Sequence, residues 1–143
     1  MYSMIIIPIL VALVTQIIKL ITDGIPNNLN WQHLFADYGG MPSSHTALVA
    51  SLATIVGLEA GWSSAAFAVA FILFIVVVRD AVGFRREIGK NAVLTNTLAK
   101  EIFPENPEVL LHERIGHKTL EVIVGLIVGV ALTFLFYWLM LVV

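Results

Sequence analysis

The run MIIIPILVALVTQIIKLI, residues 4–21, decides the fold class. Ile5, Ile6, Ile7, Ile9, Leu10, Val11, Leu13, Val14, Ile17, Ile18 and Leu20 put aliphatic side chains on every face of a helix. A helix on the surface of a soluble domain keeps a polar face, and this one has none, so it is read as embedded in lipid. It has no positively charged leader and no small-residue cleavage site, which predicts a retained span. Gln16 and Lys19 interrupt its last turns. Two dispositions of Lys19 fit: its ammonium snorkels to the headgroups, or it points into the bundle one helical turn from Gln16.

Composition extends this reading to the whole chain. Its 143 residues are 59% hydrophobic and 13% charged, and the mean hydropathy is +0.93. These values predict an all-α integral membrane helical bundle of about four transmembrane helices, forming a single domain over 1–143. The predicted spans are 4–21, 46–60, 63–78 and 119–143. There is no cysteine, which excludes disulfides and thiolate chemistry. The formal charge of −2, with no basic and aromatic stripe, argues against nucleic acid as a partner.

Between the first two spans, residues 23–40 carry Gly24, Pro26, Asn27, Asn28 and Asn30, with Trp31, Phe35 and Tyr38 as interfacial anchors. This is the composition of a loop lying on the membrane surface. His33 and Asp37, four apart in that loop, are read as solvated side chains and not as metal ligands. The second span is short for a 30 Å hydrocarbon layer and is expected to start below the surface. Its Ala47, Ala50, Ser51, Ala53, Thr54 and Gly57 allow close helix approach. Gly61 and Trp62 turn the chain at the opposite face.

Residues 79–118 form the long polar region and hold seven of the eight Lys and Arg, offset by six acids. Within it, Val93, Leu94, Leu98 and Ile102 recur at helical spacing and predict an amphipathic interfacial helix over 91–102, ended by Pro104 and Pro107. The last span closes with Tyr137 and Trp138 in an aromatic belt. Its Gly125 and Gly129 make a GxxxG face, which serves equally for packing within the bundle or for dimerisation.

Two short stretches carry the chemistry. Gly39-Gly40-Met41-Pro42-Ser43-Ser44-His45 stands directly before the second span. A proline that cannot continue a preceding helix and two good N-cap serines place backbone N–H groups, hydroxyls and an imidazole at a helix N-terminus, where an anion such as phosphate is favoured. Pro-Ser-Ser is also an ordinary helix start. The second stretch, Arg114-Ile115-Gly116-His117-Lys118-Thr119-Leu120-Glu121, opens the last span. His117 and Glu121 are four apart, so on one helix the carboxylate would hold an imidazole nitrogen and leave the other as a nucleophile. His45 would then protonate the departing oxygen, and Arg79, Arg85, Arg86 and Arg114 are candidates for the charge that spreads over phosphate oxygens.

On these stretches, and on Arg79-Asp80-Ala81-Val82-Gly83-Phe84-Arg85-Arg86 with Gly89-Lys90, the chain resembles the type 2 phosphatidic acid phosphatases. These are relatives of acid phosphatases and vanadium haloperoxidases, and the likeness is closest to their short divergent membrane branch. The resemblance runs from Lys19 to Gly129. It implies a metal-independent phosphoric monoester hydrolase without cofactor, with His117 as nucleophile, Glu121 as its acidic partner and His45 as proton donor. Ser43, Ser44, Lys19, Arg79, Arg85, Arg86, Lys90 and Arg114 would hold the phosphate. The chain departs from the family pattern in having Ser44 where glycine is usual and glutamate in place of aspartate at 121. Arg114 lies only three residues before the nucleophile, which leaves open whether it or the Arg85 and Arg86 pair completes the site. The family's opening lysine followed by Arg-Pro is represented at best by Lys19. Full-length members have more helices, which implies a homodimer as one way to complete the pocket.

The expected substrate is a lipid phosphomonoester, or else a pyrophosphate, of the phosphatidic acid, phosphatidylglycerophosphate or polyprenyl phosphate/pyrophosphate class, because a headgroup-level pocket meets such groups at high local concentration. A non-catalytic lipid-phosphate binder or transporter would use the same basic and histidine pocket. A metal site of His45, His117 and Glu121 lacks a convincing fourth ligand. The expected location is a bacterial cytoplasmic membrane. With four spans all eight Lys and Arg share one side, which the positive-inside rule puts in the cytoplasm; the resemblance implies a family that often works on the far side.

Overall fold

The computed structural model describes residues 2–23, 40–103, 110–111, 113 and 116–142. The loop carrying His33 and Asp37, and Arg114, lie outside the described residues. Those described form five helices and no strand: α1 (Ser3–Asp23), α2 (Ser44–Ala60), α3 (Ala65–Val82), α4 (Phe84–Ile102) and α5 (Thr119–Val142). By length and composition α1, α3 and α5 can each cross a membrane. At 17 residues α2 is shorter, spanning about 26 Å at the usual helical rise.

Helices α1, α2, α3 and α5 alternate in direction. The Thr22 hydroxyl at the end of α1 donates to the Met41 carbonyl at 2.6 Å, and the Ser3 hydroxyl at its start donates to Glu59 at the end of α2. The main-chain N–H of His117, just before α5, donates to the carbonyl of Ala81 at the end of α3 at 3.2 Å. One end of the bundle therefore gathers the last turns of α1 and α3 with the starts of α2, α4 and α5.

Short α2 is the centre and packs against α1, α3 and α5. Its buried residues lie on all faces and are mostly small, as close approach from three sides requires. The core joins Ile7 and Val11 of α1 to Ala47, Ala53, Ile55 and Val56 of α2 and Ala70 of α3. Outward, Ile5, Val69, Ile72, Val76, Ile127 and Leu141 are exposed, a surface that lipid and not water must cover.

The helix expected over 91–102 is longer, because the chain turns into it within one residue of α3. Gly83 alone separates the two helices; its N–H donates to the Arg79 carbonyl, and its own carbonyl accepts from the Glu87 N–H. Glu87 in the first turn and Lys100 in the last turn of α4 complement its dipole. Gly89, Ala92 and Asn96 are buried, while Phe84, Ile88, Leu94, Leu98 and Ile102 are exposed, the disposition of a helix lying in a membrane interface. Asn96 ties the return segment to this helix. Its amide accepts from the Leu111 N–H at 2.7 Å and donates to the Leu111 carbonyl at 2.7 Å and to Glu113 at 2.8 Å.

Candidate functional site

The site rests on a register between α2 and α5. A Cβ added at Gly125 would lie 2.5 Å from the Ser43 carbonyl oxygen, and one at Gly129 would lie 2.6 Å from that of Ala47. A turn further on, the Thr133 hydroxyl donates to the Ser51 hydroxyl at 2.6 Å. Ser43, Ala47 and Ser51 on one helix thus meet Gly125, Gly129 and Thr133 on the other with constant offset, so the two run parallel, the start of α2 lying beside the second turn of α5. The GxxxG face is used inside the bundle, against α2.

That register sets the Met41–Ser43 turn beside the first turn of α5. The Ser43 N–H donates to the Glu121 carbonyl at 3.1 Å. The Ser43 side chain is fully buried and caps α2, its hydroxyl oxygen accepting from the Thr46 hydroxyl at 3.0 Å and the Thr46 N–H at 3.4 Å. Its hydroxyl oxygen is therefore occupied by the cap, Ser44 is half-buried, and His45 is exposed at the start of α2.

His117 lies before α5, with only 4% of its surface exposed. The preceding Gly116 has φ +95°, and a Cβ there would fall 2.6 to 2.9 Å from backbone atoms of Arg85 and Arg86. No other residue type offers both the positive φ and the clearance. This approach fits residues 116–117 into the corner between α3 and α4, where Ala81 receives the His117 N–H.

Burial holds the His117 imidazole below its usual pKa of 6.5; Glu121 opposes this, and Lys19, His45 and Arg85 reinforce it. Those four side chains, from α1, α2, α4 and α5, are thus near enough for their charges to act on the ring. Lys19 resolves in favour of the inward disposition, at only 9% exposed. Arg85 is fixed by Asp80, whose carboxylate accepts from Nε at 2.5 Å. Arg85 shares a helix stripe with the buried Gly89, Ala92 and Asn96, whereas Arg86 and Lys90 lie on the exposed side and Lys90 pairs with Glu87 at 2.6 Å. Arg79 is exposed in the last turn of α3.

The expected bond between Glu121 and the imidazole needs a correction. One oxygen, Oε2 of Glu121, accepts from the N–H of Lys118 at 3.1 Å and of Gly40 at 3.3 Å. Among the described residues the buried Nδ1 of His117 has no hydrogen-bond partner. The reason is that α5 begins at Thr119, so His117 is not one turn before Glu121 on a helix. Glu121 instead occupies the third helical position, where a glutamate reaches back to cap the helix start. It acts on His117 through space.

Sequence reasoning assigned no role to Thr22 or Asn96 and included Asp80 only within the stretch 79–86. Asn96 had a signal: it is a polar residue on the stripe that also holds the small Gly89 and Ala92. The partners of Asp80 and Thr22 are set by the corner and by the α1 end. Chemically, a mostly neutral imidazole beside a lysine, an arginine and a second histidine suits either attack on, or retention of, a phosphate group.

Residues 2–132 match the family described as the Divergent PAP2 family. The chain is also 37% identical, over 122 residues, to the uncharacterized membrane protein YuiD of Bacillus subtilis (strain 168), an alignment covering 76% of this chain and 77% of that protein. No solved structure matches the chain. By the extent of the family match, on a bundle of membrane-spanning helices, the chain belongs to the divergent PAP2 family.

Proposed function

We infer that this protein is a membrane lipid-phosphate phosphatase working through a phosphohistidine on His117. The observation that carries the reading is a buried, pKa-lowered imidazole acted on by Lys19, His45 and Arg85 together. A neutral imidazole has a lone pair to give, and flanking cations favour the anionic substrate and the charge of its transition state. In the first step a nitrogen of His117 bonds to phosphorus while the P–O bond to the lipid breaks. His45, protonated, gives its proton to the leaving alkoxide. In the second step water attacks the phosphohistidine, His45 takes the proton, and inorganic phosphate leaves as the P–N bond breaks. Lys19 and Arg85 hold the non-bridging oxygens, Arg85 in the orientation that Asp80 sets.

The substrate is a phosphomonoester lipid of the phosphatidic acid, phosphatidylglycerophosphate or polyprenyl phosphate class, reached from a bacterial cytoplasmic membrane. The positive-inside rule favours a cytoplasmic site. Labelling of a cysteine introduced at Lys100, in a chain with no other cysteine, reports that side. His117→Asn in purified protein, assayed for phosphate release across those lipids, tests the mechanism. Loss of turnover with retained fold supports it, and unchanged turnover removes it. A second reading, a lipid-phosphate binder without catalysis, draws on one observation: the Glu121 carboxylate is held by backbone N–H groups and not by Nδ1 of His117. Saturable binding of phosphatidic acid with no release from any substrate would decide for it.

A further inference from the structure

A cleft of about 150 Å³ opens on the bilayer side of the bundle, between α3 and α5, with α2 as its floor. Small side chains of α2, Ala50 and Ala53, form the floor, and Phe67, Phe71 and Phe74 of α3 form one wall. The three rings follow one another at 5.7 Å and 6.2 Å between centroids, nearly parallel. Trp62 stands at the far end, edge-on to Phe67 at 5.1 Å and pressed on Gly57, where a Cβ would lie 2.5 Å from the indole.

Two helix registers agree on where the cleft begins. Phe74 lies seven residues before Ala81, whose carbonyl holds the His117 N–H, and Leu126 lies seven beyond Thr119, where α5 begins. At the helical rise each is about 10 Å below the His117 end of its helix, and Ala50, seven residues beyond Ser43, lies deeper. The cleft is in line with the charged site and separated from it by roughly the depth of a lipid backbone. Apolar cavities of about 150 Å³ take one benzene, so the space fits some six carbons of a single chain and not two chains side by side.

We propose that this cleft holds one hydrocarbon chain of the lipid whose phosphate sits at His117, and that Trp62 sets the length of chain accepted. The inference rests on the lipid-phosphate reading of the site. It does not rest on the hydrophobic effect, since a chain in the cleft and one in the bilayer are equally dry. Selectivity comes from contact with the aromatic wall and from collision with Trp62. A preference of about fivefold between chains that end before the indole and chains that reach it is the size that such contacts supply.

The test uses the full chain in dioleoylphosphatidylcholine nanodiscs and a phosphatidic acid bearing a photoreactive diazirine in one acyl chain, crosslinks being mapped by mass spectrometry. The expected result is labelling of α2, α3 and α5 at the cleft. Unlabelled dipalmitoyl phosphatidic acid should compete, dipalmitoyl phosphatidylcholine should not, and Trp62→Ala should reduce the length preference at least twofold. Phe71→Ala, at a half-exposed wall position outside the core, should weaken labelling without unfolding. Equal competition by phosphatidylcholine would mean that bulk lipid fills the cleft and would overturn the proposal. So would labelling confined elsewhere while phosphatidic acid still binds, a result that leaves the phosphatase reading standing. Cleft labelling with the expected competition but no phosphate release would support the cleft and remove the phosphatase.

Discussion

Replacing Gly129 with alanine probes the contact that sets the register of α2 on α5. The new Cβ would meet the Ala47 carbonyl oxygen at 2.6 Å and its Cα at 2.8 Å, against ordinary contact from 3.4 Å. The obstructing atoms are backbone in a helix packed on three sides, so relief requires α2 and α5 to part by about 0.8 Å at that level. Overpacking of this kind costs about 1–3 kcal/mol. The Thr133 to Ser51 bond at 2.6 Å lies one turn away and would lengthen beyond good geometry, adding about 0.6 kcal/mol. The expected outcome is a thermal midpoint several degrees lower for monomeric protein in mild detergent, read by loss of helical circular dichroism. Ile127→Ala, on the exposed side of the same helix, should change it little. If Gly129→Ala leaves the monomer's midpoint untouched but dissociates a dimer, the glycine stripe packs between chains and the register described above is wrong.

The remaining predictions concern the site and its support. His117 has its pKa below the usual 6.5 through burial. Its contribution to stability is therefore complete above pH 6.5 and is lost as pH falls through its folded pKa, because the unfolded chain takes the proton first. Between pH 7.5 and 5.5, His117→Asn should flatten the fall in thermal midpoint relative to the parent, and the acid limb of turnover should lie below pH 6.5. Lys19→Met should cut phosphate release by about a hundredfold, as the loss of a clamp on transferring phosphate does. Removing that charge should also move the acid limb upward, since Lys19 lowers the His117 pKa. Asn96→Ala leaves both Leu111 main-chain groups without their amide partner and should cost about 1–3 kcal/mol by chemical unfolding. Asn96→Asp, which sets a carboxylate against Glu113 in place of a donor at 2.8 Å, should be more damaging at pH 8 than at pH 5.

What could be read in the sequence was whatever depends on local pattern. Aliphatic runs gave the spanning helices to within a few residues, and small residues in α2 foretold that it would be crowded. Phase on a helix was informative where the helix existed and misleading where it did not. The four-residue spacing of His117 and Glu121 implied a bond that Gly116 and the late start of α5 prevent. The inward turn of Lys19 was undetermined, because snorkelling and burial place the same residue at the same helix end. Nor could sequence say which of Arg85 and Arg86 faces inward. That depends on the one-residue corner at Gly83, which starts α4 early enough to put Arg85 on its inner stripe and Arg86 off it.

The departures from the phosphatase pattern acquire a common cause in the packing. Gly125 seats α5 directly on the Ser43 carbonyl, so the Ser43 side chain is enclosed and serves the cap of α2. The same proximity brings the Gly40 N–H onto Glu121, which draws the carboxylate away from the imidazole into a structural role. Orientation of His117 is left to its main-chain bond with Ala81 and to the tight Gly116 turn against Arg85 and Arg86. A carboxylate that no longer fixes a histidine tautomer can be replaced with less chemical consequence than one that does. Glu121→Gln keeps the oxygen that both N–H groups need and removes only the charge. It should therefore lower turnover by no more than about tenfold, far short of the effect of removing a proton-transfer group. A loss as deep as that of His117→Asn would instead mean that the carboxylate meets the imidazole during the reaction.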